Sequence, residues 1–386
     1  MTTQTEPMAA HVEAAPEESS DEPIWLRNCW QVAAFASEVG RSILPRMFLG
    51  QPVILYRDVD GEPVAMEDRC PHRLVPLSIG MLDGPVIRCG YHGLEFGTDG
   101  KCVRIPGQDG IPTTARVRTF PVLERYALIW IWMGEPQLAN PTLVPDVHWL
   151  DDAAWVPSTG YHRMEADYRL ITDNLLDLSH ETYVHQKTIG NESVADSPAH
   201  VSVEHERIVR ADREMHNIVP PPYFARIMAS EDRIDRWQSA IYMPPGIHMT
   251  EAGVHKVGTD RSKAYVGRVL HLLTPETKTS SHYFWAMNRN YRLQDAELTE
   301  FIRIAVQHTL DEDQNVLELQ MRAVLEERPT HFPPLAIRAD SAPMRARRLL
   351  RKLVKGEIEN NTAVAAPTPL AHDPPGALSP EHRISQ

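Results

Sequence analysis

Four side chains in two short segments have the spacing of metal ligands: Cys70-Pro-His72-Arg73 and Cys89-Gly-Tyr-His92-Gly93. In each segment the thiol comes first and the imidazole second, with sixteen residues between His72 and Cys89. Two Cys and two His can hold structural zinc. They can also hold a Rieske-type [2Fe–2S] cluster, with Cys70 and Cys89 on one iron and His72 and His92 on the other. The shared polarity and the glycines around the second segment favour the cluster.

A second set lies about a hundred residues further on, in the run Ile171-Thr-Asp-Asn-Leu-Leu-Asp-Leu-Ser-His-Glu-Thr-Tyr-Val-His185. If the run is helical, Leu175, Leu176, Leu178 and Val184 draw it into a core. Asn174, Asp177, His180 and His185 go inward with them, and buried polar groups need partners. Two converging imidazoles suit a metal. A carboxylate from elsewhere would complete the 2-His-1-carboxylate set that leaves positions open on non-haem Fe(II). On a regular helix His180 and His185 point about 140° apart. The spacing therefore predicts a π-type widening between them, or a helix that ends before His185. Two histidines on a helix are also an ordinary core or surface feature, and the Cys/His segments upstream give the metal reading its weight.

Asp311, Glu312 and Asp313 are the candidates for the missing carboxylate. Leu298, Ile302, Ala305, Thr309, Val316, Leu317 and Gln320 mark one face of an amphipathic stretch from Asp295 to about Glu326. Asp313 falls about 20° from Ile302 on that face, Glu312 about 80° and Asp311 about 180°. Asp313 is the one expected to be buried, where a carboxylate requires a cation nearby. Local hydrogen bonding at a helix interruption is the alternative role.

These residues need elements to place them. At 386 residues, with 42% hydrophobic content, the chain is long enough for two domains. Residues 1–23 are acidic and lack aromatics, which predicts a disordered tail. From 24 to 140 the pattern is strand-like: Pro52–Tyr56, an Asp99-Gly100 hairpin signal and Tyr126–Met133 point to an all-β domain. From 141 to 355 the chain reads as a second domain, an antiparallel sheet flanked by helices. The central helix comes first there, then strands near 201–210, 237–249, 264–273 and 281–288, then the amphipathic stretch. Residues 343–355 form a basic helix, either a solvated face or a dock for an acidic partner. The Pro-rich remainder, 356–386, reads as a second disordered tail. The fold class is α+β.

Thirty-nine Lys and Arg against 52 Asp and Glu give a formal charge of −13, which argues against nucleic acid as a partner. No run reaches membrane-spanning length, and the acidic N-terminus carries no signal sequence, so the expected location is the cytoplasm.

The pairing of Cys-Pro-His-Arg and Cys-Gly-Tyr-His-Gly with Asp-Asn-Leu-Leu-Asp-Leu-Ser-His-Glu-Thr-Tyr-Val-His resembles the Rieske non-haem iron oxygenases, in particular the vanillate O-demethylase and dicamba monooxygenase branch. The resemblance runs from Trp25 to about Lys355. It implies a [2Fe–2S] cluster on Cys70, His72, Cys89 and His92, and a mononuclear Fe(II) on His180, His185 and Asp313. The respiratory-type clamp disulfide is absent, since Tyr91 stands where the second loop would carry its extra cysteine. By the same resemblance Asp177 joins His180 to His92 of a neighbouring subunit in a head-to-tail homotrimer. Asn174 would sit beside the iron without binding it, and His271 matches a substrate-contacting position. A core role accounts for His271 equally well. Met228, Met243, Trp285 and Met287 are candidates for an apolar pocket or for plain core.

The implied activity is that of the oxygenase component of a multicomponent monooxygenase, inserting oxygen from O₂ into a small aromatic acid, by O-demethylation or a related hydroxylation. No Gly-x-Gly-x-x-Gly follows a strand, so a separate NAD(P)H-dependent reductase or ferredoxin is expected. Ring dihydroxylation and a non-catalytic electron-transfer role are the alternatives.

Overall fold

The computed structural model describes residues 25–326 and 335–364; the expected acidic tail, and the Pro-rich tail beyond 364, lie outside the described residues. The first region is all-β. A three-stranded sheet joins β1 (Trp30–Phe35) to two later strands, β10 (Val122–Arg125) and β11 (Leu128–Trp132). A second sheet pairs β2 (Leu44–Phe48), β3 (Gln51–Arg57), β4 (Pro63–Glu67) and β9 (Thr119–Phe120). A third, small sheet holds β5 (Met81–Asp83), β6 (Val86–Arg88), β7 (Glu95–Phe96) and β8 (Cys102–Arg104). Gly100, with φ +77°, makes the Asp-Gly turn between β7 and β8, a conformation glycine adopts without steric cost.

The second region is built on a seven-stranded antiparallel sheet in the order β12-β18-β17-β16-β15-β14-β13. Its strands are β12 (Val156–Met164), β13 (His200–Glu204), β14 (Ile208–Ile218), β15 (Ile234–Met243), β16 (Ile247–Lys256), β17 (Tyr265–Pro275) and β18 (Ser281–Arg289). Two expected strands each resolve into two. The stretch 201–210 turns at His205-Glu206, both with positive φ, and 237–249 turns at Pro244-Pro245-Gly246. The central helix is not the first element here, because edge strand β12 precedes it.

One face of this sheet presents Ile241, Met249, Leu270, Leu272 and Phe284 to a tryptophan-rich cluster that includes Trp30, Trp130, Trp149 and Trp155. That apolar contact holds the first region against the sheet. The opposite face carries α1 (Tyr168–Leu176), α2 (Glu181–Val184), α3 (Glu192–Asp196), α4 (Pro222–Met228), α5 (Ala296–Leu325) and α6 (Ser341–Asn360). α5 buries Leu298, Ile302, Leu310, Asp313 and Leu317, so Asp313 is internal as expected; of the rest of the expected stripe, Ala305 and Thr309 are half-buried and Val316 and Gln320 are exposed.

The basic helix is α6, and it runs to Asn360, five residues past the expected boundary at 355. Its charges are partly absorbed by the fold. Arg347 pairs with Asp173 at 2.6 Å beneath α1, and Lys352 reaches Glu206 at 2.9 Å. No helix among the described residues is long and apolar enough to cross a membrane.

Candidate metal centres and the adjoining cavity

The first pair of candidate ligands sits on two loops that repeat one backbone pattern. Cys70 N donates to the carbonyl of Val75 and Leu74 N to that of Cys70; Cys89 N donates to Leu94 and Gly93 N to Cys89. The fifth residue of each loop, Leu74 or Gly93, has positive φ. The loops also pack tightly on each other: a Cβ on Gly90 would lie 2.6 Å from the carbonyl oxygen of Ile79. As a result Cys70 and Cys89 are buried as free thiols, while His72 and His92 are exposed with ring centroids 4.6 Å apart. Burial pushes the Cys70 thiol up to about 11. Two inner sulfurs and two outer imidazoles fit a cluster with one buried and one surface iron.

The second set forms where the central helix breaks. Asp167 caps α1 by accepting from Arg169 N, and α1 ends at Asp177, whose φ of −104° and ψ of 84° are not helical. The Asp177 carboxylate then caps the next turn, accepting from Ser179 N at 3.0 Å and Ser179 Oγ at 2.6 Å. His180 closes that turn. α2 ends at Val184, which leaves His185 just beyond it. Of the two expected solutions to the five-residue spacing, the chain adopts the ended helix, with an additional break ahead of His180.

The two rings meet at 5.2 Å between centroids. His180 Nε2 lies 3.4 Å and His185 Nε2 3.2 Å from Asp313 Oδ1, and one ligand atom from each of the three residues falls within 4.8 Å of the others. Both Nδ1 atoms are engaged elsewhere, on the Asp177 carbonyl oxygen at 2.5 Å and on Glu312 Oε2 at 2.8 Å. With Nδ1–H donating, each Nε2 presents its lone pair to the common point. Asn174 Nδ2 donates to Asp313 Oδ1 at 3.0 Å and holds the carboxylate in place.

The electrostatics match a cation site. Burial pushes Asp313 up, but bonding to the two imidazoles overrides it and holds the carboxyl well below its usual range. Burial works against protonating His180, yet Asp313 raises it to about 9. His185 is likewise lowered by burial and raised, on balance, by Asp313 and Glu312. A proton here occupies the place a metal cation suits, so the donor set fits non-haem Fe(II).

The expected direct bond from the Asp177 carboxylate to His180 is not made; the backbone carbonyl of Asp177 makes it instead. Sequence reasoning also missed Glu312. Its offset from the buried stripe placed it on the helix flank, and nothing local to residue 312 indicates that His185 stands opposite.

A cavity partly open to solvent extends from the three ligands between the sheet, α4 and α5. Its walls are mostly apolar, Tyr223, Phe224 and Ile227 from α4 facing Val269 and Met287 of the sheet. Of the pocket candidates, Met287 lines it, whereas Met243 and Trp285 belong to the packed core and Met228, the last residue of α4, is buried in the apolar cluster beside it. His271 lines it too. Its Nδ1 meets Tyr283 Oη at 2.6 Å and its Nε2 meets Thr250 Oγ1 at 3.2 Å, and burial lowers it to about 3.

Residues 29–121 match the Rieske [2Fe–2S] domain family and residues 164–356 the vanillate O-demethylase oxygenase C-terminal domain family. The chain belongs to the Rieske non-haem iron oxygenases. Within them it falls beside the oxygenase subunit of vanillate O-demethylase from a Pseudomonas species, to which it is 37% identical over 86% of this chain and 96% of that one. The oxygenase component of chloroacetanilide N-alkylformylase from Rhizorhabdus wittichii is 36% identical over 86% and 97%. The crystal structure of dicamba monooxygenase with non-haem iron and dicamba superposes with a TM-score of 0.75 at 33% identity, covering 87% of this chain and 99% of that one. The protein is therefore the oxygenase component of a multicomponent Rieske monooxygenase, with a [2Fe–2S] cluster and a non-haem iron as its cofactors.

Proposed function

We propose that this protein demethylates or hydroxylates a small aromatic substrate held in the cavity beside His180, His185 and Asp313. The observation that carries this reading is the convergence of three braced ligands at the wall of a largely apolar pocket. The similar proteins act, by their names, on vanillate, dicamba and a chloroacetanilide, which is one aromatic framework with different exocyclic groups.

In this reading Cys70, His72, Cys89 and His92 hold the [2Fe–2S] cluster, and His180 Nε2, His185 Nε2 and Asp313 hold the iron. When bound, the two groups supply electrons one at a time and activate O₂. The protein contributes orientation and dryness. Asp177 and Glu312 fix which nitrogen each histidine offers, Asn174 steadies Asp313, and the walls exclude water from the reacting carbon. His271, bonded on both nitrogens, is a rigid edge against which the ring is positioned. We assign the Rieske domain to 24–140 and the catalytic domain to 141–360, its end moved to the last residue of α6. The test is oxygen uptake with an NAD(P)H-dependent reductase across methoxy- and N-alkyl-substituted aromatics. Formaldehyde should form in step with O₂ consumed, and diol without formaldehyde would overturn demethylation.

We also infer a head-to-tail homotrimer with cytoplasmic location. Around the exposed His92 stand Leu74, Ile79, Met81 and Tyr91, each more than half exposed. On the other side, Tyr183 beside the iron ligands is 71% exposed. Apolar surface of that kind is suited to being covered by a partner. The ring would place His92 of one subunit against Asp177 of the next. Asp177→Asn should keep both metals, by iron content and cluster absorbance, because the carbonyl that braces His180 remains, and should lose nearly all turnover because the carboxylate proposed to meet the neighbouring subunit's His92 is gone. Normal turnover would remove the route.

A further inference from the structure

We propose that the cavity selects an uncharged aromatic ligand over the anion of an aromatic acid. The inference rests on reading the cavity as the substrate site and concerns the charge of what enters it.

Among the described residues lining the cavity, Arg236 is the one guanidinium or ammonium, against two carboxylates, Glu181 and Asp313. The charge of Arg236 is matched by Glu181, and of its donors only Nε is buried without a partner. Its Nη2 donates to Glu181 Oε2 at 3.1 Å and its Nη1 to the Ile189 carbonyl oxygen at 3.1 Å, and its guanidinium sits over the Phe224 ring at 4.5 Å. Glu181 is held in turn by Gln238 Nε2, at 2.7 and 2.9 Å. The side chains of this pair are 1% and 4% exposed. A buried pair with that many supports does not release its cation to an incoming anion, because freeing either member leaves an uncompensated charge in a dry site.

His271 is the other group that could meet an acid. Both of its ring nitrogens face hydroxyls, and its depressed proton affinity keeps it neutral. What remains for recognition is neutral: Tyr223, whose own hydroxyl is buried without a partner, and the Thr250 hydroxyl, which already meets His271 Nε2. A carboxylate entering here gives up its hydration and finds no free positive side chain. Drawing on the metal's charge would put it in the positions that dioxygen requires. An amide, ester or ether oxygen asks only for a hydroxyl donor, and the wall supplies those.

The experiment compares ligands that share a ring and a methoxy group and differ in charge. 4-Methoxybenzamide, 4-methoxytoluene and 4-methoxybenzoate are titrated calorimetrically into the oxygenase carrying both metals. The neutral compounds should bind with a Kd about tenfold or more below that of the benzoate. Equal or tighter binding of the benzoate overturns the assignment. Glu181→Gln, which unmatches Arg236, should shift the preference towards the benzoate, and an unchanged ratio in the folded variant also counts against it. Because the wild-type comparison needs no variant, poor folding of Glu181→Gln does not decide the matter. Formaldehyde is read separately. Bound amide that yields none removes O-demethylation and leaves the charge assignment standing, whereas benzoate that binds best and is demethylated does the reverse.

Discussion

The two metal regions of this protein are assembled in opposite ways. In the first, four ligands fall within 23 residues, from Cys70 to His92, and the backbone itself sets the geometry through two matched loops. Glycine lets those loops approach, and a Cβ on Gly80 would lie 2.1 Å from the Arg88 carbonyl oxygen. In the second, His180 and Asp313 are 133 positions apart and meet only because α1 breaks and α5 crosses it. Each of those ligands is braced by another residue: Asp177, Glu312 or Asn174. A loop-built site inherits its precision from chain geometry, whereas a packing-built site depends on a ring of supporting side chains. The two should therefore fail independently.

The largest effects test that independence. Asp313→Ala removes the carboxylate that draws both imidazoles together, so mononuclear iron should be lost and turnover abolished while the cluster's visible absorbance persists. Cys89→Ser should do the converse, erasing the cluster spectrum while Fe(II) still binds at His180, His185 and Asp313. Metal content and absorbance on the same samples decide it. If Asp313→Ala retains its full iron, the carboxylate is not a ligand. If it also loses the cluster, the two regions are coupled through folding.

The same contrast explains what could be read before the fold was known. Cys-x-His and Cys-x-x-His are local patterns, so their meaning survives without tertiary structure. The position of Asp313 was legible because a helix reports burial through its period. Glu312 was not, since its partner is a histidine 127 residues away. One strand limit failed where the turn lacked its usual residues, and the other despite a Pro244-Pro245-Gly246 turn. His205-Glu206 takes left-handed conformations with φ of 49° and 55° without glycine or asparagine to announce it. Strand β12 was missed because Val156-Pro-Ser-Thr-Gly160 looks like a loop. Pro157 is tolerated on this edge strand, and Gly160 is required because a Cβ there would come within 2.2 Å of the Trp285 ring. Helix α4 begins at the last of three prolines, with Pro221 at its N-cap and Pro222 as its first residue, where a missing N–H costs nothing.

Bracing side chains should matter less than ligands but more at the second region than anywhere in the first. Glu312→Ala leaves His185 Nδ1 without its acceptor, so ring orientation and tautomer are no longer held. Fe(II) affinity should fall by roughly tenfold, towards the lower end for residues that support metal-bound histidines. Titration of metal-depleted protein with Fe(II) under anaerobic conditions measures it. Unchanged affinity would mean that packing alone orients His185, and the proposed distinction between the regions would weaken.

The smallest effect is on stability, and it again separates the regions, since the histidines with depressed proton affinity belong to the sheet of the second. Burial lowers His271 to about 3; burial, with Arg46 and Arg163 nearby, lowers His282 to about 4, both from an ordinary 6.5. Below that ordinary value the unfolded chain takes up a proton that the folded chain refuses. Stability therefore falls as pH drops from about 6.5, by up to about 1.4 kcal/mol per pH unit for each group, until its folded value is reached. His180 acts oppositely in the metal-free protein. Raised to about 9, it adds stability that is fully present below 6.5 and is lost as pH rises through 9. Loading the metal displaces that proton, so His180 and His185 then also refuse a proton that the unfolded chain takes up, and the decline below about pH 6.5 should be steeper in the iron-loaded protein. Urea midpoints between about pH 7 and pH 5 should decline, and His271→Gln should remove close to one proton's share of the slope. A slope unaltered by His271→Gln would mean that the imidazole is protonated in the folded cavity, and with it would go the neutral edge on which the charge preference of the pocket depends.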